Sequence, residues 1–211
     1  MDTKLTGKTR IESDLIGARE IPAEALYGVQ TLRGIENFSI SKFRLSEYPL
    51  FIKGLAITKM AAAMANFELG LLTVEQKDAI IAACGEIIDG KHHDQFPVDM
   101  IQGGAGTTTN MNANEVIANR ALELMGHERG EYQYCSPNDH VNCSQSTNDA
   151  YPTAIHIGMY FKHLQLLPHL EELIASFRKK GEEFSRIIKM GRTQLEDAVP
   201  MTLGQTFNGF A

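Results

Sequence analysis

The segment from Thr147 to Ser185 restricts the fold of this chain more than any other feature. Its apolar residues recur at the spacing of an α-helix and are Ile155, Met159, Leu166, Leu170, Leu173, Phe177 and Phe184. A single helix of that length would be roughly 58 Å long, unless Pro168 kinks it or splits it in two. A helix that long extends beyond a compact domain of 211 residues. We therefore expect it to pack beside helices that this chain does not supply.

Signals for the start of a helix occur at several other places. They are Pro22 at a short helix in an otherwise irregular amino terminus, the Thr73 and Gln76 capping box, Asn112 and Glu115 at N-cap and N3 positions, and Pro200 at a last helix. No strand-rich region, repeat or low-complexity tract is evident in the sequence. The sequence therefore predicts a mainly α architecture.

Composition and charge argue against several classes of partner. The net charge is −6 and no long block of Lys or Arg occurs, so we expect no nucleic acid as a partner. The first residues lack an apolar core of signal-peptide length, and we expect that no later segment could span a membrane. Cys84, Cys135 and Cys143 match no metal or disulfide spacing, and the seven histidines match no zinc spacing. These patterns predict a cytoplasmic protein without a bound metal.

Three tracts rich in hydroxyl and amide side chains each lead toward a predicted helix. They are Thr107-Thr108-Thr109-Asn110, Ser146-Thr147-Asn148-Asp149 and Arg192-Thr193-Gln194. Helix capping accounts for any one of them, because Ser, Thr and Asn are preferred at helix starts. Together they offer more hydrogen-bond donors than caps require. Neutral donors and helix dipoles suit a small carboxylate, whereas the glycine-rich residues 103–106 lack the lysine that follows in a phosphate-binding loop.

Long stretches of the sequence resemble the aspartase/fumarase superfamily. These stretches are "GGAGTTTNMNANEVIANRA", "PNDHVNCSQSTNDAYPT" and "KMGRTQLEDAVPMTLGQ", and the resemblance covers essentially the whole chain. Within the superfamily the sequence is most similar to the aspartate ammonia-lyases, since "GHERGEYQY" is typical of them. Gln194 stands where fumarases, most other relatives and some aspartases carry a histidine, and Ser136 replaces a histidine that fumarases use at a secondary carboxylate site.

The resemblance implies the reversible anti-elimination of ammonia from L-aspartate to give fumarate. In that reaction a base removes a proton from Cβ, which creates a dianionic aci-carboxylate, and cleavage of the C–N bond follows. The resemblance also implies a homotetramer that takes a small dicarboxylate or amino-acid substrate and uses no cofactor. Hydration of fumarate is the alternative within the superfamily. A non-catalytic helical interaction module is the alternative outside it.

Residue by residue, the resemblance implies a substrate site. Its members are Thr107, which binds a substrate carboxylate and lies near the amino group, Ser146 and Thr147 for the β-carboxylate, Asn148 for the amino group, Thr193 for the α-carboxylate and Gln194 beside the leaving nitrogen. The family's catalytic base is a serine in a mobile Gly-Ser-Ser loop, and no two serines are adjacent in this sequence. The resemblance therefore implies an amino-terminal fragment that supplies no catalytic residue and is inactive alone. It comprises an amino-terminal domain over residues 1–142 and the truncated beginning of a long central helical bundle over residues 143–211.

Overall fold

The structure is a computed structural model that describes residues 7–211 of the chain. In this range the α-helices are α1 (Val29–Asn37), α2 (Pro49–Glu68), α3 (Val74–Ile88), α4 (Thr107–Leu124), α5 (Thr147–Glu183) and α6 (Leu203–Phe210). The strands are β1 (Thr9–Asp14), β2 (Gly17–Pro22), β3 (Ile188–Thr193) and β4 (Glu196–Thr202), which pair as two antiparallel hairpins. A mainly α fold is thus confirmed. The chain divides into two compact units, one up to Met159 and one from Tyr160.

Helices α2, α3 and α4 build the core of the first unit. Their fully buried apolar side chains include Ile52, Leu55, Ile80, Ile87, Ile117 and Leu122. By length and composition alone, the 20-residue α2 could cross a membrane, because an 18-residue stretch of it has a mean hydropathy of 1.3. The expectation that no segment has the length and composition to span a membrane was therefore wrong. In this structure α2 packs against α3 and contributes to the core.

Helix α3 begins as the sequence predicts. The Thr73 hydroxyl accepts a hydrogen bond from the Gln76 N–H at 3.2 Å, and the Gln76 side chain accepts one from the Thr73 N–H at 3.1 Å. These two bonds satisfy donors that the first turn of a helix leaves free. The helix is followed by Gly90 in the left-handed region, with φ of 91°. A local signal was therefore sufficient to predict where this element begins.

The expectation that Asn112 and Glu115 begin a helix was wrong. Helix α4 already begins at Thr107, so both residues lie inside it and are buried. The Glu115 carboxylate instead caps α1, because it accepts hydrogen bonds from the N–H groups of Gly28 at 2.8 Å, Gln30 at 2.8 Å and Thr31 at 3.0 Å. Burial raises the pKa of Glu115, and these N–H groups oppose that rise.

The expectation of an irregular amino terminus with a helix at Pro22 was also wrong. Pro22 ends β2, and α1 begins only at Val29. The Arg10 guanidinium donates hydrogen bonds to the carbonyl oxygens of Pro22 at 3.1 Å, Ala25 at 2.6 Å and Tyr27 at 2.8 Å. Because those carbonyls are bound by Arg10, the connection to α1 is stabilised without helical hydrogen bonds of its own.

Helix α5 runs for 37 residues and continues through Pro168, so of the two alternatives the split into two helices does not occur. Several of its apolar residues are exposed, namely Met159, Leu164, Leu166, Leu167, Leu170 and Leu173.

In the second unit, Phe177 and Phe184 of α5 contact the ring of Phe207 on α6. The expected start of a helix at Pro200 was wrong, because Pro200 lies in β4 opposite Met190. A Thr202 and Gln205 capping box begins α6 instead.

Candidate functional site

The glycine-rich tract ends at the start of α4 and lies close to α5. Gly106 is the N-cap residue of α4 and has a φ of 90°. A Cβ atom at this position would lie 2.3 Å from the ring of Tyr151 on α5. Only glycine meets both conditions, since other residues are strained at this φ and would clash with the ring. The sequence therefore allows the backbone at the start of α4 to approach the first turns of α5.

The first turn of α4 presents hydrogen-bond donors. The Thr109 N–H donates to the Gln102 side-chain oxygen at 2.7 Å, and the Asn110 N–H donates to the Gly106 carbonyl at 3.0 Å. Across residues 7–211, no hydrogen-bond partner is found for the N–H groups of Thr107 and Thr108 or for the exposed Thr107 hydroxyl. Free donors at the positive end of a helix dipole form a binding site for an anion.

The second tract forms the start of α5. The Ser146 hydroxyl accepts a hydrogen bond from the Asn148 N–H at 3.2 Å, so Ser146 caps this helix. The Thr147 hydroxyl oxygen accepts one from the Asn110 amide nitrogen at 3.2 Å, which joins the starts of α4 and α5. The Asn148 side chain is exposed and has no hydrogen-bond partner in the described part of the chain.

One cavity lies beside this pair of helix starts, and a second lies beside the start of α4. One, of about 600 Å³, is lined by the glycine-rich tract together with Asn148 and Tyr151. The other, of about 720 Å³, is lined by Thr107, Thr108, Ser136 and Asn138 and by residues of the β1–β2 hairpin and α1, among others. The structure therefore brings the first two polar tracts together beside spaces that could hold a small ligand.

Ser136 begins a π-helical turn, Pro137–Val141, beside the larger cavity. Its hydroxyl donates to the Asp139 carboxylate at 2.9 Å and accepts from the Asp139 N–H at 3.1 Å. The Ser136 N–H donates to His140 Nδ1 at 2.8 Å, and burial lowers the pKa of His140. These bonds fix the turn, so the Ser136 hydroxyl is already engaged within the protein.

A buried lysine lies behind the start of α5 and was missed from the sequence. Lys59, on α2, is fully buried, and its ammonium group donates to the Asn142 side-chain oxygen at 2.9 Å. Burial lowers the pKa of Lys59 to about 7, and the nearby Cys84 opposes this shift. A single lysine within the apolar run "ITKMAAAMAN" was the signal available, because a lysine is rarely buried in a core without a specific partner.

The depressed pKa of Lys59 predicts how stability depends on pH. From about pH 7 up to its ordinary pKa of 10.5, the folded protein binds one proton fewer than the unfolded chain. The free energy of unfolding should therefore rise with pH across this window, by up to about 1.4 kcal/mol per pH unit. The buried thiols of Cys84 and Cys135, with pKa values raised to about 12, act in the opposite direction at higher pH.

Guanidinium titrations at about pH 7 and about pH 8 lie below the pKa of about 8.5 of an unfolded thiol, so only a minority of the unfolded thiols ionise. Lys59→Met is the comparison, because it removes the titrating group and keeps a similar side-chain volume. We expect the rise in the free energy of unfolding to disappear in this variant. An equal rise in both proteins would assign the pH dependence to other groups.

The third tract lies in the second unit and connects two strands. The expectation that it leads toward a helix was wrong, because Thr193 ends β3 and β4 follows at Glu196. Gln194 and Leu195 form the turn with φ angles of 51° and 66°. Such angles are unfavourable for residues with side chains, and Leu195 is 99% exposed, so packing does not compensate for them. The exposed side chains of Thr193 and Gln194 have no hydrogen-bond partner within residues 7–211.

Among the described residues, no group of three or more His, Cys, Asp or Glu side chains is placed to hold a metal ion.

Comparison with known proteins gives consistent matches. A family model described as lyase matches residues 17–211. The aspartate ammonia-lyase of Pseudomonas canavaninivorans is 61% identical over 202 residues, which cover 96% of this chain and 43% of that protein. The aspartate ammonia-lyase of Escherichia coli K12 is 57% identical over 208 residues, which cover 98% of this chain and 44% of that protein.

Two solved structures are also similar. A cobalt-bound fumarate lyase:delta crystallin from Brucella melitensis has a TM-score of 0.89 and 55% identity, with coverage of 96% of this chain and 44% of that chain. A class II fumarase from Schistosoma mansoni has a TM-score of 0.85 and 39% identity, with coverage of 96% and 43%. The chain thus spans less than half the length of the relatives that it matches.

Proposed function

This chain belongs to the aspartase/fumarase superfamily of lyases, and from this premise we propose that it forms part of an aspartate ammonia-lyase. The proposed reaction is the reversible anti-elimination of ammonia from L-aspartate to give fumarate. The main support is identity of 61% and 57% with two proteins named aspartate ammonia-lyase. Identity with the class II fumarase is 39%. Gln194 and Ser136, which replace histidines of fumarases, also weigh against fumarate hydration.

The difficult step of this elimination is the formation of a second negative charge on the substrate. Removal of the Cβ proton places that charge on a carboxylate that is already ionised. Thr107 supplies a hydroxyl and a helix-start N–H that have no hydrogen-bond partner among residues 7–211, and Thr147 supplies a second hydroxyl. Each well-aimed donor in such a site stabilises the transition state by about 3 kcal/mol. We assign Thr107 and Thr147 this role.

The remaining predicted residues orient the substrate. Asn148, exposed at the start of α5, is assigned to the amino group, and Ser146 supports the β-carboxylate site while it caps the helix. Thr193 is assigned to the α-carboxylate. Gln194 is assigned to the leaving nitrogen, where an amide can accept a hydrogen bond without titrating. Among these 211 residues we assign no catalytic base.

We further propose a cytoplasmic homotetramer. The exposed apolar residues of α5, with Met159 63% and Leu166 50% exposed, would be covered by neighbouring subunits. Cys84, Cys135 and Cys143 are free thiols, which agrees with a reducing compartment.

The substrate decides between the two reactions of the superfamily. We expect the full-length polypeptide to form fumarate from L-aspartate and to form it from L-malate much more slowly. The ultraviolet absorbance of fumarate, followed with each substrate at equal concentration, measures both rates. L-Malate as the better substrate would replace this proposal with fumarate hydration. Conversion of neither, with no binding of succinate, would favour a helical interaction module.

A further inference from the structure

We infer that Lys59 is a positioning residue that acts through Asn142 and Asn110 to direct the hydroxyl hydrogen of Thr147 toward the substrate. The inference rests on the proposed function, because it takes Thr147 as a substrate-binding donor. None of the other three side chains needs to touch the substrate. Together these four residues form what we term the Lys59 relay.

The direction of the first hydrogen bond is fixed at both ends. The Lys59 ammonium group has three donors and no acceptor, so the Asn142 side-chain oxygen accepts from it at 2.9 Å. The Asn142 amide nitrogen donates to the Gln145 carbonyl at 3.1 Å. This second bond independently requires the same orientation of the Asn142 amide, since a carbonyl oxygen can only accept.

The orientation of Asn142 then determines that of Asn110. The Asn110 amide nitrogen lies 3.1 Å from the Asn142 side-chain oxygen and 3.2 Å from the Thr147 hydroxyl oxygen. Because the Asn142 oxygen carries no hydrogen, Asn110 must turn its amide nitrogen toward it. The two hydrogens on that nitrogen serve Asn142 and Thr147. Thr147 is therefore an acceptor inside the protein, and its own hydrogen remains available for a substrate carboxylate.

A purely structural anchor would not need this chemistry. Asn66, also buried on α2, holds the same loop by donating to the Cys143 carbonyl at 2.8 Å. An amide is sufficient for that bond and is less costly to bury than a lysine. Lys59 is fully buried, and its hydrogen-bond partner among residues 7–211 is Asn142. A protonated lysine, unlike an amide, has no acceptor to offer the Asn142 amide nitrogen and so excludes the reversed orientation of the relay.

A double-mutant cycle tests the inference in the full-length polypeptide. Lys59→Met should lower kcat/KM for L-aspartate on the order of 10²-fold, as expected when a binding group is misplaced from a distance. In a Thr147→Val background, the same substitution should lower kcat/KM by no more than about threefold, because no donor remains for the relay to direct. Equal losses in both backgrounds, or no loss in the wild-type background, would overturn the inference.

Asn66→Leu is the matched control, because it removes a buried polar contact to the same loop without touching the relay. We expect it to lower the melting temperature and to change kcat/KM by less than about threefold in either background. Asn66→Leu could instead lower kcat/KM in the wild-type background and have no effect in the Thr147→Val background. That result would show a general loosening of the loop and would overturn the specific role of Lys59. If Lys59→Met does not fold, Asn110→Leu breaks the relay at its centre and replaces Lys59→Met in the cycle.

Side-chain amide NMR signals separate this inference from the proposed function. The chemical shifts of the Asn110 and Asn142 amide groups report on the hydrogen bonds of the relay and do not require turnover of a substrate. Lys59→Met should change the chemical shifts of both. Shifted signals in a protein that does not convert L-aspartate would reject the proposed reaction and support the relay. Unshifted signals would reject the relay, whatever the activity.

Discussion

Replacement of Thr107 with valine in the full-length polypeptide should lower kcat/KM for L-aspartate by about 10²–10³, which is the loss expected for one aimed donor. The melting temperature should change little. Gly106 is the N-cap residue of α4, and the Thr107 hydroxyl has no hydrogen-bond partner among residues 7–211. Valine has nearly the same shape and a similar helix propensity, so only the hydroxyl group is removed.

Thr73→Val is the matched control for this substitution. The Thr73 hydroxyl caps α3 by accepting from the Gln76 N–H, outside the candidate site. Its loss should destabilise the protein by about 1 kcal/mol and leave kcat/KM unchanged. Steady-state kinetics and thermal melts of the two variants should therefore give opposite patterns. A Thr107→Val variant that melts lower and turns over normally would instead assign Thr107 a structural role.

Elements with local start and stop signals could be predicted from the sequence. The capping box of α3 consists of residues three positions apart, and the glycine after its end adopts the positive φ that favours glycine. The apolar spacing of α5 likewise predicted a helix from Thr147 onward. Pro168 does not divide α5, although a proline inside a helix normally costs about 3 kcal/mol.

Elements that depend on distant partners could not be predicted. Glu115 resembles the last residue of a local capping box, yet it caps a helix that lies 84 to 87 positions earlier in the chain. Arg10 holds the segment after Pro22 by carbonyl bonds that span 12 to 17 positions. Neither pairing has a periodicity or spacing that could be recognised in one sequence.

The candidate site was predicted in part, for the same reason. Thr107 and Thr147 were identified because each stands in a local excess of donors at a helix start. Lys59 was not, because its partner Asn142 is 83 positions away. The assigned roles of Thr107, Ser146, Thr147, Asn148, Thr193 and Gln194 rest on the resemblance and remain predictions for the experiments above.

A polypeptide limited to these 211 residues should release no ammonia from L-aspartate and should self-associate. We assign no catalytic base within it, and the loss of a base alone typically costs a factor of about 10²–10⁴. Among the apolar residues of α5, Leu166 is 50% exposed, Leu170 41% and Leu173 49%. Contact between such surfaces of different molecules removes them from water, so association is favoured.

Size-exclusion chromatography with light scattering measures the association, and an ammonia-release assay on the same sample measures the activity. Leu166→Glu should shift the polypeptide toward the monomer, because it places a charge in the exposed apolar surface. His163→Glu adds the same charge at an exposed polar position of α5 and should leave the association unchanged. A monomer at high concentration in the unmodified polypeptide would contradict the role of the apolar surface. Measurable release of ammonia would mean that a base lies within these residues, and the assignment of a separate serine loop would then be wrong.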